Sequence, residues 1–85
     1  MEAVVCQAFG PVTNLSVQQM PEPAPGADEV LIHVASVGVN FPDALLVRGL
    51  YQVKPSLPFV PGIECAGTIA AFGEDVTGFA VGDRV

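Results

Sequence analysis

Eighty-five residues suffice for one small domain, and a chain this short buries only about 60% of its unfolded surface, so two independent domains are excluded and stability is expected to be marginal. Hydrophobic residues make up 51% and charged residues 14%, with a mean hydropathy of +0.53, which excludes a disordered segment. Nine acidic against three basic residues leave a net charge of −6, so phosphate backbones and anionic lipid surfaces repel the chain and nucleic acid is excluded as a partner.

Residues 2–9 are mostly apolar and end at the turn dipeptide Gly10-Pro11, which predicts a first strand. Residues 15–18 alternate apolar and polar, the period of a half-buried strand. Pro21, Pro23 and Pro25 then remove backbone donors and force an extended surface connector. Residues 30–37 are β-branched and nearly continuous, so they read as a central strand with both faces buried or almost so. Asn40-Phe41-Pro42-Asp43 opens the one convincing helix: Pro42 suits the first turn, Asp43 faces the positive helix end, and Gly49 can close the helix in a left-handed conformation. Residues 50–61 carry Pro55, Pro58 and Pro61, an arm too stiff for a helix and too poor in donors for a central strand, so it must lie over something. After Gly62, glycines recur at gaps of 5, 6, 5 and 4 with Ile69, Phe72, Val76 and Phe79 between them, which predicts short strands, tight corners and bulges. Gly82-Asp83 reads as a turn and Arg84-Val85 as the first residues of another strand. The whole is expected to be mainly β, a small curved antiparallel barrel with one short helix on its side, and a fragment of a longer chain.

Nine Gly and eight Pro support this β reading, since both interrupt helices. Cys6 and Cys65 form no C-x-x-C pair, which fits neither a disulfide framework nor a zinc knuckle and points to a reduced, cytoplasmic setting. The start lacks the basic region of a signal peptide. The most apolar uncharged run, residues 30–42, has 13 residues against the ~20 needed to cross a bilayer, so no membrane span is expected.

Chemistry-bearing residues are few. The glycines are never closer than four apart, so G-x-G-x-x-G is absent, and Thr68 stands where a P-loop would need lysine after Gly62 and Gly67. His33, the sole histidine, reads as a structural residue at the barrel surface. Cys65 reads as core packing rather than as a reactive thiol. Glu64 reads as a partly buried acid paired with Arg84 or Lys54. Asn40 is a helix N-cap, a side-chain amide offered to a ligand, or both. Tyr51 either packs its ring on the Pro-rich arm or donates a proton to an enolate.

Taken together these residues resemble the N-terminal, GroES-like domain of the medium-chain dehydrogenase/reductase superfamily. Its zinc alcohol dehydrogenases carry G-H-E-x2-G-x5-[GA]-x2-[IVSAC], and Gly62-Ile63-Glu64, Gly67, Gly73 and Val76 meet every fixed position except the histidine. Upstream, a zinc-ligating cysteine precedes the family's helix in a G-x-C-x-x-D context, where this chain has Gly38, Asn40 and Asp43. Losing a thiolate and an imidazole removes a soft tetrahedral site, so no zinc and no other metal is expected. Gly38-Val39-Asn40, Arg48-Gly49-Leu50-Tyr51, the stretch from Leu57 to Gly62 and the closing Gly82-Asp83-Arg84-Val85 are similar to the zinc-free quinone oxidoreductase branch, which includes zeta-crystallin-like and VAT-like reductases.

The resemblance implies that residues 1–85 are a GroES-like substrate domain, truncated at its C-terminal end, of an NADPH-dependent quinone or enone/enoyl reductase. It implies that NADPH lies between this domain and a missing Rossmann domain, with Asn40 and Asp43 on the cofactor side and Tyr51 as catalytic proton donor. The implied substrates are a quinone, an enone or an enoyl thioester, and the full-length protein is implied to be a homo-oligomer. The isolated chain is expected to have no activity of its own. A stand-alone, non-catalytic β binding module or an inactive truncated product is the rival reading.

Overall fold

The computed structural model describes all 85 residues. Along the chain come β1 (Glu2–Val5), a single 3-10 turn (Val12–Asn14), β2 (Ser16–Gln19), β3 (Val30–Val37), α1 (Phe41–Arg48) and β4 (Cys65–Phe72). Every strand pairing is antiparallel, and the mainly β character with one short α-helix is as the sequence leads one to expect. No helix is long and apolar enough to cross a membrane. Two compact units are present, Met1–Pro21 with Val39–Ile63 and Glu22–Gly38 with Glu64–Val85. Each draws on two separate stretches of chain.

In the first unit β1 and β2 form a ladder from Glu2↔Gln19 to Val5↔Ser16. The first strand is shorter than the apolar run of residues 2–9 suggests, because the chain changes partner after Val5. Cys6 exchanges both backbone hydrogen bonds with Phe59, at 2.8 and 3.1 Å. The Pro-rich arm therefore lies against the end of β1, where Phe9 and Phe59 also meet with ring centroids 6.2 Å apart. Val5, Cys6 and Val47 form the buried centre. The Gly10 N–H donates to the Val47 carbonyl at 3.0 Å, and the Cys6 thiol donates to the Ala8 carbonyl at 3.4 Å. Burial thus selects Cys6 as the packing cysteine.

In the second unit β3 and β4 pair from Val30↔Phe72 to Val37↔Cys65, with irregularities between Leu31 and Ile32 and between Val34 and Ser36. The opposite edge of β4 is also used. Gly67 exchanges hydrogen bonds with Val85 at 3.0 and 2.9 Å, and the Ile69 N–H donates to the Asp83 carbonyl at 2.9 Å. Residues 83–85 thus pair with β4 through an isolated antiparallel bridge at Arg84, where the sequence leads one to expect Arg84 and Val85 to open a strand. Ile69 is 1% exposed and anchors this unit. At Gly73, which donates its N–H to the Glu29 carbonyl at 2.9 Å, an added Cβ would come within 2.5 Å of the Ala27 carbonyl carbon; backbone approach explains the glycine there.

Two expectations are corrected. β3 is not buried on both faces: Val34 is 48% and Val37 66% exposed, because nothing in its unit packs over the strand's C-terminal half. Cys65 is exposed, not core, since it lies opposite Val37 at that same open end of the ladder.

Ile69 carries the packing of its unit, so Ile69→Ala should cost about 2–5 kcal/mol, the usual range for a buried large-to-small change. Val17, 66% exposed, serves as the control: Val17→Ala should stay within about 0.5 kcal/mol in the same urea titration.

Candidate functional site

The best-built polar cluster sits at the start of α1. Asn40 adopts φ −124° and ψ 162°, extended rather than helical, and forms a reciprocal capping box with Asp43. The Asn40 side chain accepts from the Asp43 N–H, while the Asp43 carboxylate accepts the Asn40 N–H through Oδ2 at 2.8 Å. The Asp43 N–H also donates to the Asn40 backbone carbonyl at 3.1 Å, so only the Asn40 N–H depends on the other residue's side chain, and the box holds both side chains in one geometry. Pro42 occupies the first turn without losing a hydrogen bond. The other oxygen of Asp43 is left over: Oδ1 is buried with no hydrogen-bond partner. A buried acceptor in this state favours any donor that can reach it.

The far end of α1 is fixed just as firmly. Gly49 takes the left-handed conformation, φ 72° and ψ 20°. The Gly49 N–H donates to the Leu46 carbonyl at 3.1 Å and the Leu50 N–H to the Leu45 carbonyl at 2.9 Å, the paired bonds of a Schellman stop. Arg48 lies in the last turn, where the helix dipole favours a cation. Tyr51 follows this stop, half-buried.

Three residues were singled out in the sequence as a possible site. The structure brings Asn40 and Asp43 into direct contact. Tyr51 begins beyond the opposite end of α1, a helix of eight residues and therefore about 12 Å long. Around them the surface is apolar: Phe41, Leu50 and Ile63 are all exposed.

No group of three or more His, Cys, Asp or Glu side chains is placed to hold a metal ion. His33 is exposed on β3, as expected. Glu64 is exposed rather than partly buried. Its carboxylate lies over Gly38, where an added Cβ would meet the Glu64 Cδ at 2.7 Å, and its carbonyl accepts the Gly38 N–H at 3.2 Å. The reciprocal use of Asp43 was missed in the sequence, although Asn followed three residues later by an acid was its signal.

Residues 26–85 match the family described as the alcohol dehydrogenase GroES-like domain. Quinone oxidoreductase-like protein 2 of Mus musculus is 45% identical over 71 residues, covering 84% of this chain and 20% of that protein. The crystal structure of human synaptic vesicle membrane protein VAT-1 homolog-like protein superposes with a TM-score of 0.93 at 38% identity, over 99% of this chain and 27% of that one. Escherichia coli quinone oxidoreductase complexed with NADPH superposes with a TM-score of 0.91 at 28% identity, over 99% of this chain and 26% of that one. The chain thus spans about a fifth of the length of the curated relatives it matches.

If the capping box sets the start of α1, Asp43→Ala and Asn40→Ala should each lower stability by roughly 0.5–2 kcal/mol. Since the two side chains serve each other's backbone, the double variant should lose less than the sum in a urea-denaturation cycle.

Proposed function

Because the chain belongs to the alcohol dehydrogenase GroES-like domain family, we propose that residues 1–85 form the substrate-side domain of an NADPH-dependent, zinc-free reductase acting on quinones or electron-poor alkenes. The complete protein is then a cytoplasmic homo-oligomer in which a separate dinucleotide-binding domain carries most of the cofactor. The absence of G-x-G-x-x-G from these residues supports assigning that task elsewhere.

The observation that carries the reading is the Asn40–Asp43 pair with its unpartnered Asp43 Oδ1. The donor set fits a nicotinamide: a carboxamide offers N–H groups that a buried carboxylate oxygen accepts, and a carbonyl that a side-chain amide can donate to. The solved E. coli quinone oxidoreductase, similar over 99% of this chain and 26% of its own, is complexed with NADPH, which supports the same cofactor here. When bound, NADPH supplies a hydride to a quinone or to the β-carbon of a conjugated carbonyl compound.

The chain's own residues do the rest. Asn40 and Asp43 bind and orient the carboxamide, with the capping box holding their side chains before the cofactor arrives, so little reorganisation is needed. Exposed Phe41 and Ile63 give an apolar surface suited to a quinone or alkene and help exclude water. The Tyr51 phenol donates the proton that the reduced carbonyl compound requires. A conjugated carbonyl already accepts charge and can be stabilised by hydrogen bonds, so the chemistry has no need of a metal. The amide of Asn40 and the alkyl chain of Ile63 offer zinc no thiolate or imidazole.

In the complete protein, Tyr51→Phe should lower turnover on an enone by roughly 100-fold or more while leaving NADPH affinity within twofold. Unchanged turnover would remove Tyr51 from the mechanism. Asn40→Ser keeps a helix-capping oxygen but removes the amide, so it should weaken NADPH about 3- to 10-fold, one hydrogen bond's worth. An equal NADPH dissociation constant would refute the contact.

A further inference from the structure

Phe41 opens α1 and is the most exposed of the chain's five phenylalanines, at 76%. Its neighbours at the helix start are each accounted for: Asn40 and Asp43 form the capping box and Pro42 fits the first turn. The Phe41 ring adds nothing to the cap, and an aromatic ring left in water forgoes a burial that would stabilise the fold.

Helix geometry explains why the ring finds no cover within its own unit. Six positions separate Phe41 from Val47, the buried residue of α1, which sets the two about 120° apart around the helix axis. Arg48, seven positions on, returns almost to the line of Phe41 and is exposed too. Along a helix the Cα–Cβ bonds tilt toward the N-terminus. From the first helical position, Phe41 therefore leans past the helix start, toward Asn40 and the Asp43 carboxylate that folds back to it.

An aromatic side chain thus stands beside the pair assigned above to the nicotinamide carboxamide. That carboxamide is bonded directly to the nicotinamide ring, and reaction brings the reacting atoms to about 3–3.5 Å. A substrate lying on the nicotinamide is then close to Phe41 whenever Asn40 and Asp43 hold the carboxamide. Aromatic pairs gain from offset or edge contact beyond the area they bury, and an acyclic alkene has no ring to make that contact. On the reading that this domain serves an NADPH-dependent reductase, we propose that Phe41 sets the substrate preference: its ring packs against that of a quinone and favours quinones over acyclic enones. The reduction adds hydride from NADPH and one proton to the quinone, giving the hydroquinone and NADP+. Phe41 moves neither of them.

The test uses the complete protein and reads binding as well as turnover. With NADP+ in place of NADPH no hydride is available, so dissociation constants for a quinone and an acyclic enone are measured directly by NMR titration. Duroquinone and mesityl oxide serve, since methylation protects both from the exposed Cys65 thiol. Phe41→Leu should weaken duroquinone about 3- to 10-fold and mesityl oxide less than twofold, with kcat/KM under NADPH shifting the same way. Phe41→Tyr keeps the ring and should bind duroquinone within twofold of the parent. Both variants should keep the parent's melting temperature, because the side chain is exposed. Unchanged duroquinone affinity in Phe41→Leu, equal weakening of both compounds, or a lowered melting temperature would each overturn the proposal, the last by making Phe41 a packing residue of the complete protein. If NADPH reduced neither compound in the parent, the reductase reading would fail, and the binding constants would still decide the role of Phe41.

Discussion

The reciprocal hydrogen bonds between Asn40 and Asp43 are the constraint on which the functional reading depends. They end the extended chain, start α1, and fix two polar side chains relative to each other before any ligand is present. A cap could be built from one side chain alone. Using both leaves one carboxylate oxygen of Asp43 buried and unanswered, and an unanswered buried acceptor is costly unless a donor reaches it. Stability of the helix start and readiness to bind thus come from the same pair of residues.

Around that pair the structure tolerates a small core. Burial concentrates on Val5, Cys6 and Val47 in one unit and on Ile69 in the other. Backbone pairing does much of the remaining work: Cys6 with Phe59, Gly67 with Val85, Gly73 with Glu29. Proline and glycine make this possible for opposite reasons. Proline leaves the arm extended so that Phe59 can pair with Cys6, while glycine lets backbones approach where a Cβ would collide.

Much of this was legible in the sequence, and the limits have physical causes. β3 was read at its observed bounds because β-branched residues fill a pleated surface regardless of context. α1 was legible because caps are local: Asn40, Pro42 and Gly49 each act within a few residues. Burial was not, because it depends on what packs overhead. Hence Val34 and Val37 looked internal and are exposed, and the packing cysteine is Cys6 rather than Cys65. Asn40 and Asp43 were readable as a pair of candidate residues, but their mutual bonding was not. The β3–β4 register stayed hidden because it joins residues far apart in sequence, and two irregularities in the ladder shift it from any simple alternation.

The most direct test of the central claim is a crystal structure of the complete protein with NADPH, with metal content measured on the same sample. The account predicts the nicotinamide carboxamide within hydrogen-bond distance of both the Asn40 side chain and Asp43 Oδ1, and no metal between Asn40 and Ile63. A carboxamide held by other residues, or a stoichiometric zinc ion at Asn40, would contradict it.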